Sequence, residues 1–142
     1  MNIGMSEEEY TTIRESKKAT LIIHGRLSGL NEYTKACRSN RYVGAKMKKD
    51  NEEMIQLYIK AQHIPKFKGK VSLAFRWYEE NMKRDIDNIS FAKKFILDSL
   101  VQSSIIESDG WRGVIGFTDD FYVDKENPRI EVDINEQRMG SD

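Results

Sequence analysis

Apolar and polar positions alternate cleanly over KVSLAFRWY, residues 70–78. Val71, Leu73, Phe75 and Trp77 share one face, with Lys70, Ser72, Ala74 and Arg76 on the other. A period of two marks a half-buried strand. It returns in PRIEVDI, residues 128–134, where Ile130, Val132 and Ile134 oppose Arg129, Glu131 and Asp133. KATLIIH (18–24), rich in β-branched residues, and WRGVIGF (111–117) add two further strands. The period turns helical twice. Over 45–62, Met47, Met54, Leu57 and Tyr58 recur among charged residues until His63-Ile64-Pro65 stops the run. Over 89–101, Ile89, Ala92, Phe95, Ile96 and Leu100 form one stripe. Residues 28–44, with Gly29, Asn31, Asn40 and Gly44, read as a long polar loop.

The predicted order is strand, helix, strand, helix, strand, strand. It implies an α+β fold, a mixed β-sheet of about four strands with two main helices packed on it. Residues 18–136 are expected to make one domain. Residues 1–17 read as an N-terminal arm or short helix, with Ser6 and Glu9 spaced as a capping box, and 137–142 as a C-terminal tail. A chain of 142 residues is long enough for a genuine core. No stretch approaches the ~20 apolar residues of a membrane helix, and the opening segment is charged, so no membrane association and a cytoplasmic location are expected.

Cys37 is the sole cysteine and His24 and His63 the only histidines. That excludes an intrachain disulfide and a structural Cys/His zinc site. Any metal would need oxygen ligands, which points to magnesium, manganese or calcium.

The formal net charge is zero, but its distribution is uneven. Residues 34–84 are rich in Lys and Arg, whereas acids dominate after Glu107. One positive face toward a polyanion is therefore feasible. Arg38, Arg41, Lys46, Lys48, Lys49, Lys83 and Arg84 are the candidate contacts to DNA. Tyr33 and Tyr42 interleave with the first of them and suit base stacking. The plain alternative is a solvated helix face.

The chemically informative segment is KRDIDN, 83–88. In extended chain Asp85 and Asp87 share a side, and two close carboxylates repel unless a proton or cation joins them. Magnesium is often held by one or two carboxylates, with water and substrate phosphate completing its shell. The alternative is an acidic turn that caps the next helix. Asp109, in ESDGW, follows the second helix and either returns to the same end of the sheet or simply makes the Asp-Gly turn. Lys94, seven residues after Asp87, either reaches a phosphate or pairs with Asp98 at i,i+4.

Together RDIDN at 84–88, the K-x-x-x-D-x-L run Lys94–Leu100, Asp109 in S-D-G-W and the closing strand pair resemble the RusA family of Holliday-junction resolvases. Asn40-Arg41-Tyr42 before a helix is a weaker likeness. The resemblance spans about residues 20–136. It implies a dimeric architecture in which a homodimer cuts four-way or branched DNA by paired symmetric nicks with Mg2+, for which Mn2+ can substitute. Asp85, Asp87 and Asp109 would be the catalytic, metal-binding carboxylates and Lys94 the catalytic lysine. The chain departs from the family in one respect. Lys94 follows Asn88 by six residues where the family has three, which leaves Lys93 as a competitor. Two rivals remain: a junction-selective DNA-binding protein of the same fold without cleavage, and an interaction protein with no nucleic-acid partner.

Overall fold

The computed structural model describes residues 17–137. The expected helix start at Ser6 lies outside the described residues. The described elements run β1 (Lys18–His24), α1 (Leu30–Ser39), α2 (Arg41–Ala61), β2 (Val71–Glu79), a helical turn α3 (Ile86–Ser90), α4 (Lys93–Gln102), β3 (Val114–Val123) and β4 (Arg129–Glu136).

The sheet order is β1-β4-β2-β3, with β4 antiparallel to β1 and β2, and β2 parallel to β3. This is the mixed α+β sheet expected from the pattern. The pairing makes β1, β2 and β3 point the same way. Their C-terminal ends therefore share one end of the sheet with the start of β4, and their beginnings share the other.

One sheet face buries Leu21, Ile23, Leu73, Phe75, Trp77, Ile130, Val132 and Ile134. These pack with Ile55 and Ile59 of α2 and with Phe95, Ile96 and Leu100 of α4 in one hydrophobic cluster. Each such side chain contributes about 1.5–3 kcal/mol by leaving water. The β2, β4 and α4 stripes lie where their periods put them.

Three expectations change. Residues 28–44 are not a loop: they form α1 and the first turn of α2. Only Ala36 of α1 is buried, so its apolar stripe is too narrow to register as a period. Asn40 separates the helices by capping α2, its side chain accepting from the Tyr42 amide at 2.7 Å. Within α2 the buried face is Gly44, Asn51, Glu52, Ile55 and Ile59, while Leu57 stands exposed. Buried Asn51 hides that face from a hydropathy reading, and it bonds the Ser28 amide and the Met47 carbonyl. Strand β3 starts three residues later than expected and runs through Asp119 and Asp120 to Val123, leaving Trp111 outside it and exposed.

The other sheet face is polar and ion-paired. Arg76 on β2 bonds Glu131 and Asp133 of β4, and Thr20 donates to Asp133. Arg129 bonds Glu131 and Asp124 and lies 3.8 Å from the Tyr78 ring centre. These arginines hold Asp133, Glu131 and Asp124 below the usual carboxylate range, chiefly through hydrogen bonds. Depressed folded-state pKa values give stability that is present at neutral pH and lost as pH falls through them. Arg76→Gln is expected to lower stability by about 2 kcal/mol at pH 7. It should also flatten the loss of stability below about pH 4. Urea unfolding at pH 7 and pH 3.5 measures both.

Candidate active site

The site begins with a buried charge. Glu79 continues the inward parity of β2 and is 6% exposed, a costly place for a carboxylate without partners. Arg84, five residues on, supplies them: its Nε and Nη2 donate to the two Glu79 oxygens at 3.0 and 2.8 Å. A two-point fork of this kind fixes orientation as well as charge. The same guanidinium donates to the Leu27 carbonyl at 3.2 Å and reaches Glu32 at 3.5 Å. It thereby ties the end of β2 to the β1–α1 connection.

Gly29 belongs to this junction for steric reasons. A Cβ there would meet Asn88 Oδ1 at 2.7 Å and Arg84 Nη1 at 2.9 Å. Buried Asn88 accepts from the Asn31 amide at 2.9 Å, locking α1 to the turn that carries the acids. The segment after Arg84 is therefore held from two sides.

Asp85 follows in extended conformation, φ −66° and ψ 151°, as the N-cap of α3. Its side chain makes no capping hydrogen bond. Asp87 lies in the first turn of α3, with Oδ1 accepting from the Asn88 amide at 2.9 Å. The two acids are thus not both in extended chain, as the sequence suggested. A cap position and a first-turn position bring them to one opening instead. Both are exposed, and both line a cleft of about 720 Å3 with Met82, Ile86, Phe121 and Tyr122. Neither has a Lys or Arg ion-pair partner among the described residues. Two un-neutralised carboxylates at one opening are a donor set suited to a hard divalent cation that keeps several waters.

Asp109 stands apart from that cleft. It lies in the α4–β3 connection and takes a 3.4 Å contact from Lys94, which also reaches Asp98 at 3.3 Å. Asp98 first, then Asp109, holds the Lys94 ammonium above its ordinary pKa, so it stays charged at neutral pH. Among the described residues no group of three or more His, Cys, Asp or Glu side chains is placed to hold a metal ion. The fold brings two of the three expected acids together.

Lys93 and Lys94 separate clearly. Lys93 bonds Asp119 at 2.6 Å beneath the Phe75 and Phe117 rings, and Asp119 also accepts from Trp77 Nε1. Lys94 is exposed, with 59% of its side chain accessible.

Of the candidate DNA contacts, Arg38 and Lys83 are exposed with no ion-pair partner among the described residues. Arg41 lies over the Tyr42 ring and bonds its hydroxyl. Lys46 and Lys49 make i,i+4 pairs with Asp50 and Glu53, of the weak exposed kind. Lys48 bridges Glu52 and Asp98 between α2 and α4. Arg84 is the internal brace described above. Sequence reasoning missed Glu79 and the cleft wall on β3. An acid on the inward parity of β2, five residues before Arg84, was the available signal for the first.

The paired-acid turn thus follows β2 at one end of a mixed sheet in an α+β fold, beside an open cleft. Residues 28–135 match the family described as Endodeoxyribonuclease RusA, and the chain belongs to that family. Membership implies an endodeoxyribonuclease of the Holliday-junction-resolving type acting on branched DNA. A comparison with curated proteins finds no match. No helix among the described residues is long and apolar enough to cross a membrane.

Proposed function

We propose that this chain is a magnesium-dependent endodeoxyribonuclease that resolves four-way junctions by paired symmetric nicks, with Asp85 and Asp87 as its primary metal-binding carboxylates. The observation that carries this reading is the pair itself. Two exposed acids without cationic partners among the described residues line one cleft, fixed by a braced arginine on one side and a buried asparagine on the other. A DNA-binding surface gains nothing from two acids facing phosphate. Asp109 lies outside that cleft, and in this reading it acts through its 3.4 Å contact to Lys94, helping to hold the lysine, not as a ligand shared with the pair.

The bound cation would polarise the scissile phosphate and lower the pKa of a coordinated water. Asp85 and Asp87 both line the cleft, and Asp85 has no capping duty. Lys94, kept charged by Asp98 and Asp109, stabilises negative charge that develops on the phosphate. Lys83 and Arg38 offer unpaired cations to the DNA backbone.

Paired nicks call for two sites, hence a homodimer with two-fold symmetry. The β3 edge of the sheet supports this. It exposes Ile115, Phe117, Tyr122 and Val123, a surface of the kind proteins normally cover. At the β1 edge, by contrast, the Gln62 amide bonds both the N–H and the carbonyl of Ile22.

The test is cleavage of a synthetic four-way junction and a matched linear duplex, with and without magnesium. Paired nicks confined to the junction and to magnesium are expected; singly nicked products only would sink the dimer. Tight junction binding without cutting in any divalent metal would support the second reading, a binding protein of the same fold. Lys94→Ala should slow junction cleavage about 10²–10³-fold. Lys93→Ala should instead lower the melting temperature and leave cleavage by folded protein within about threefold.

A further inference from the structure

The end of the sheet opposite the acid pair carries an unassigned concentration of charge. The α2–β2 connection reads Lys66-Phe67-Lys68-Gly69-Lys70. Phe67 is 5% exposed, and its amide bonds the Ile105 carbonyl at 2.8 Å. Lys66, Lys68 and Lys70 are exposed around that anchor. Glu136 at the end of β4 accepts the Lys68 and Gly69 amides at 3.0 and 3.1 Å, and the Gln137 amide bonds the Lys70 carbonyl at 2.7 Å. The loop backbone is therefore pinned while its ammonium groups face solvent.

Lys17 adds to the patch by donating to the Lys66 carbonyl at 3.0 Å, and Lys18 begins the neighbouring strand β1. Lys60 shares a shallow cleft with Lys66. None of these six lysines makes an ion pair among the described residues. Two nearby acids among the described residues are otherwise engaged. Glu136 holds backbone amides, and Glu107, which shares a second cleft with Lys66 and Lys68, pairs with Arg112. In a chain of zero net charge, six unpaired lysines on one end form a local field that attracts a polyanion. Such a field repels itself unless something negative joins it.

We infer that Lys66, Lys68 and Lys70, with Lys17, Lys18 and Lys60 around them, form a second DNA-backbone contact, for the double-stranded arm leading away from the cut site. This rests on the nuclease reading and extends it. Strand β2 spans nine residues between this loop and the acid turn, about 26 Å at ~3.3 Å per residue. DNA held at Asp85 and Asp87 must therefore continue for about eight base pairs, at ~3.4 Å each, before it reaches the lysines.

The experiment measures binding of full-length protein to four-way junctions, over a range of salt, with Asp85→Asn as the non-cutting background. Lys66→Gln/Lys68→Gln/Lys70→Gln should weaken binding to long-armed junctions at least tenfold. The slope of log affinity against log salt should fall by about three, close to one per lost phosphate contact. Far-ultraviolet circular dichroism should be unchanged, since all three side chains are exposed. With arms cut to about six base pairs, the triple variant and its parent should bind alike. Equal affinity and equal slope on long arms would overturn the inference while leaving the nuclease reading intact. Tighter binding or faster cutting by the triple variant would also overturn it. Failure of the parent to bind any DNA would overturn both.

Discussion

Asp85→Asn and Asp87→Asn should each reduce junction cleavage by at least about 10³-fold, comparable to removing a principal charge-stabilising group from an active site. Binding of the junction should persist or tighten, because each change removes a negative charge that faces phosphate. The structure gives reasons to expect a clean result. Asp85 makes no capping bond and Asp87 accepts only the neighbouring Asn88 amide. Neither substitution breaks an ion pair, and asparagine keeps a hydrogen-bonding oxygen at both positions. Stability should therefore move by less than about 0.5 kcal/mol. Cleavage measured in manganese as well as magnesium separates loss of the metal from loss of one particular metal. Wild-type rates in either variant would remove the acid pair from the chemistry.

The second large effect is structural. Arg84→Met should destabilise the protein by about 3 kcal/mol, because it leaves Glu79 buried with only Arg26 at 3.5 Å beside it. For a chain of this size that is a fall in melting temperature of roughly 10 °C. The double variant Glu79→Gln/Arg84→Met should recover much of the loss, since removing both charges avoids the unpaired one. Cleavage by the double variant should still be depressed, because Arg84 also fixes Leu27 and Glu32 beside the acid turn. Restored stability with full cleavage would show that Arg84 matters to the fold alone. An Arg84 on the DNA would instead weaken junction binding with little change in melting temperature.

Much of the framework was legible because burial imposed a strict period. Val71, Leu73, Phe75 and Trp77 could face only one way, and the stripe on α4 could face only the sheet. Helix α1 was illegible because Ala36 alone of its residues is buried; its place is fixed by Gly29, Glu32 and Asn31, through contacts to residues more than fifty positions away. The α2 stripe was misread since Asn51 and Glu52 sit on its inward face, where Asn51 is satisfied by Ser28, and Glu52 accepts from Gln102 at one oxygen while the other has only the Lys48 charge at 3.7 Å. At the site, the short spacing of Asp85 and Asp87 was enough to put them at one opening. Asp109 depended on how a connection folds back, and no local pattern encodes that. The basic run was visible as composition, yet pairing decides which cations remain available. Lys48 and Arg84 are engaged internally, while Lys66, Lys68 and Lys70 are not.

Manganese binding followed by electron paramagnetic resonance tests the central claim most directly, because it reads the metal without requiring cleavage. Full-length protein with a non-cleavable four-way junction should take up Mn2+, and Asp85→Asn or Asp87→Asn should weaken that uptake at least tenfold. Undiminished manganese affinity in both variants would contradict the account, since the ion would then be held somewhere other than the turn that follows β2.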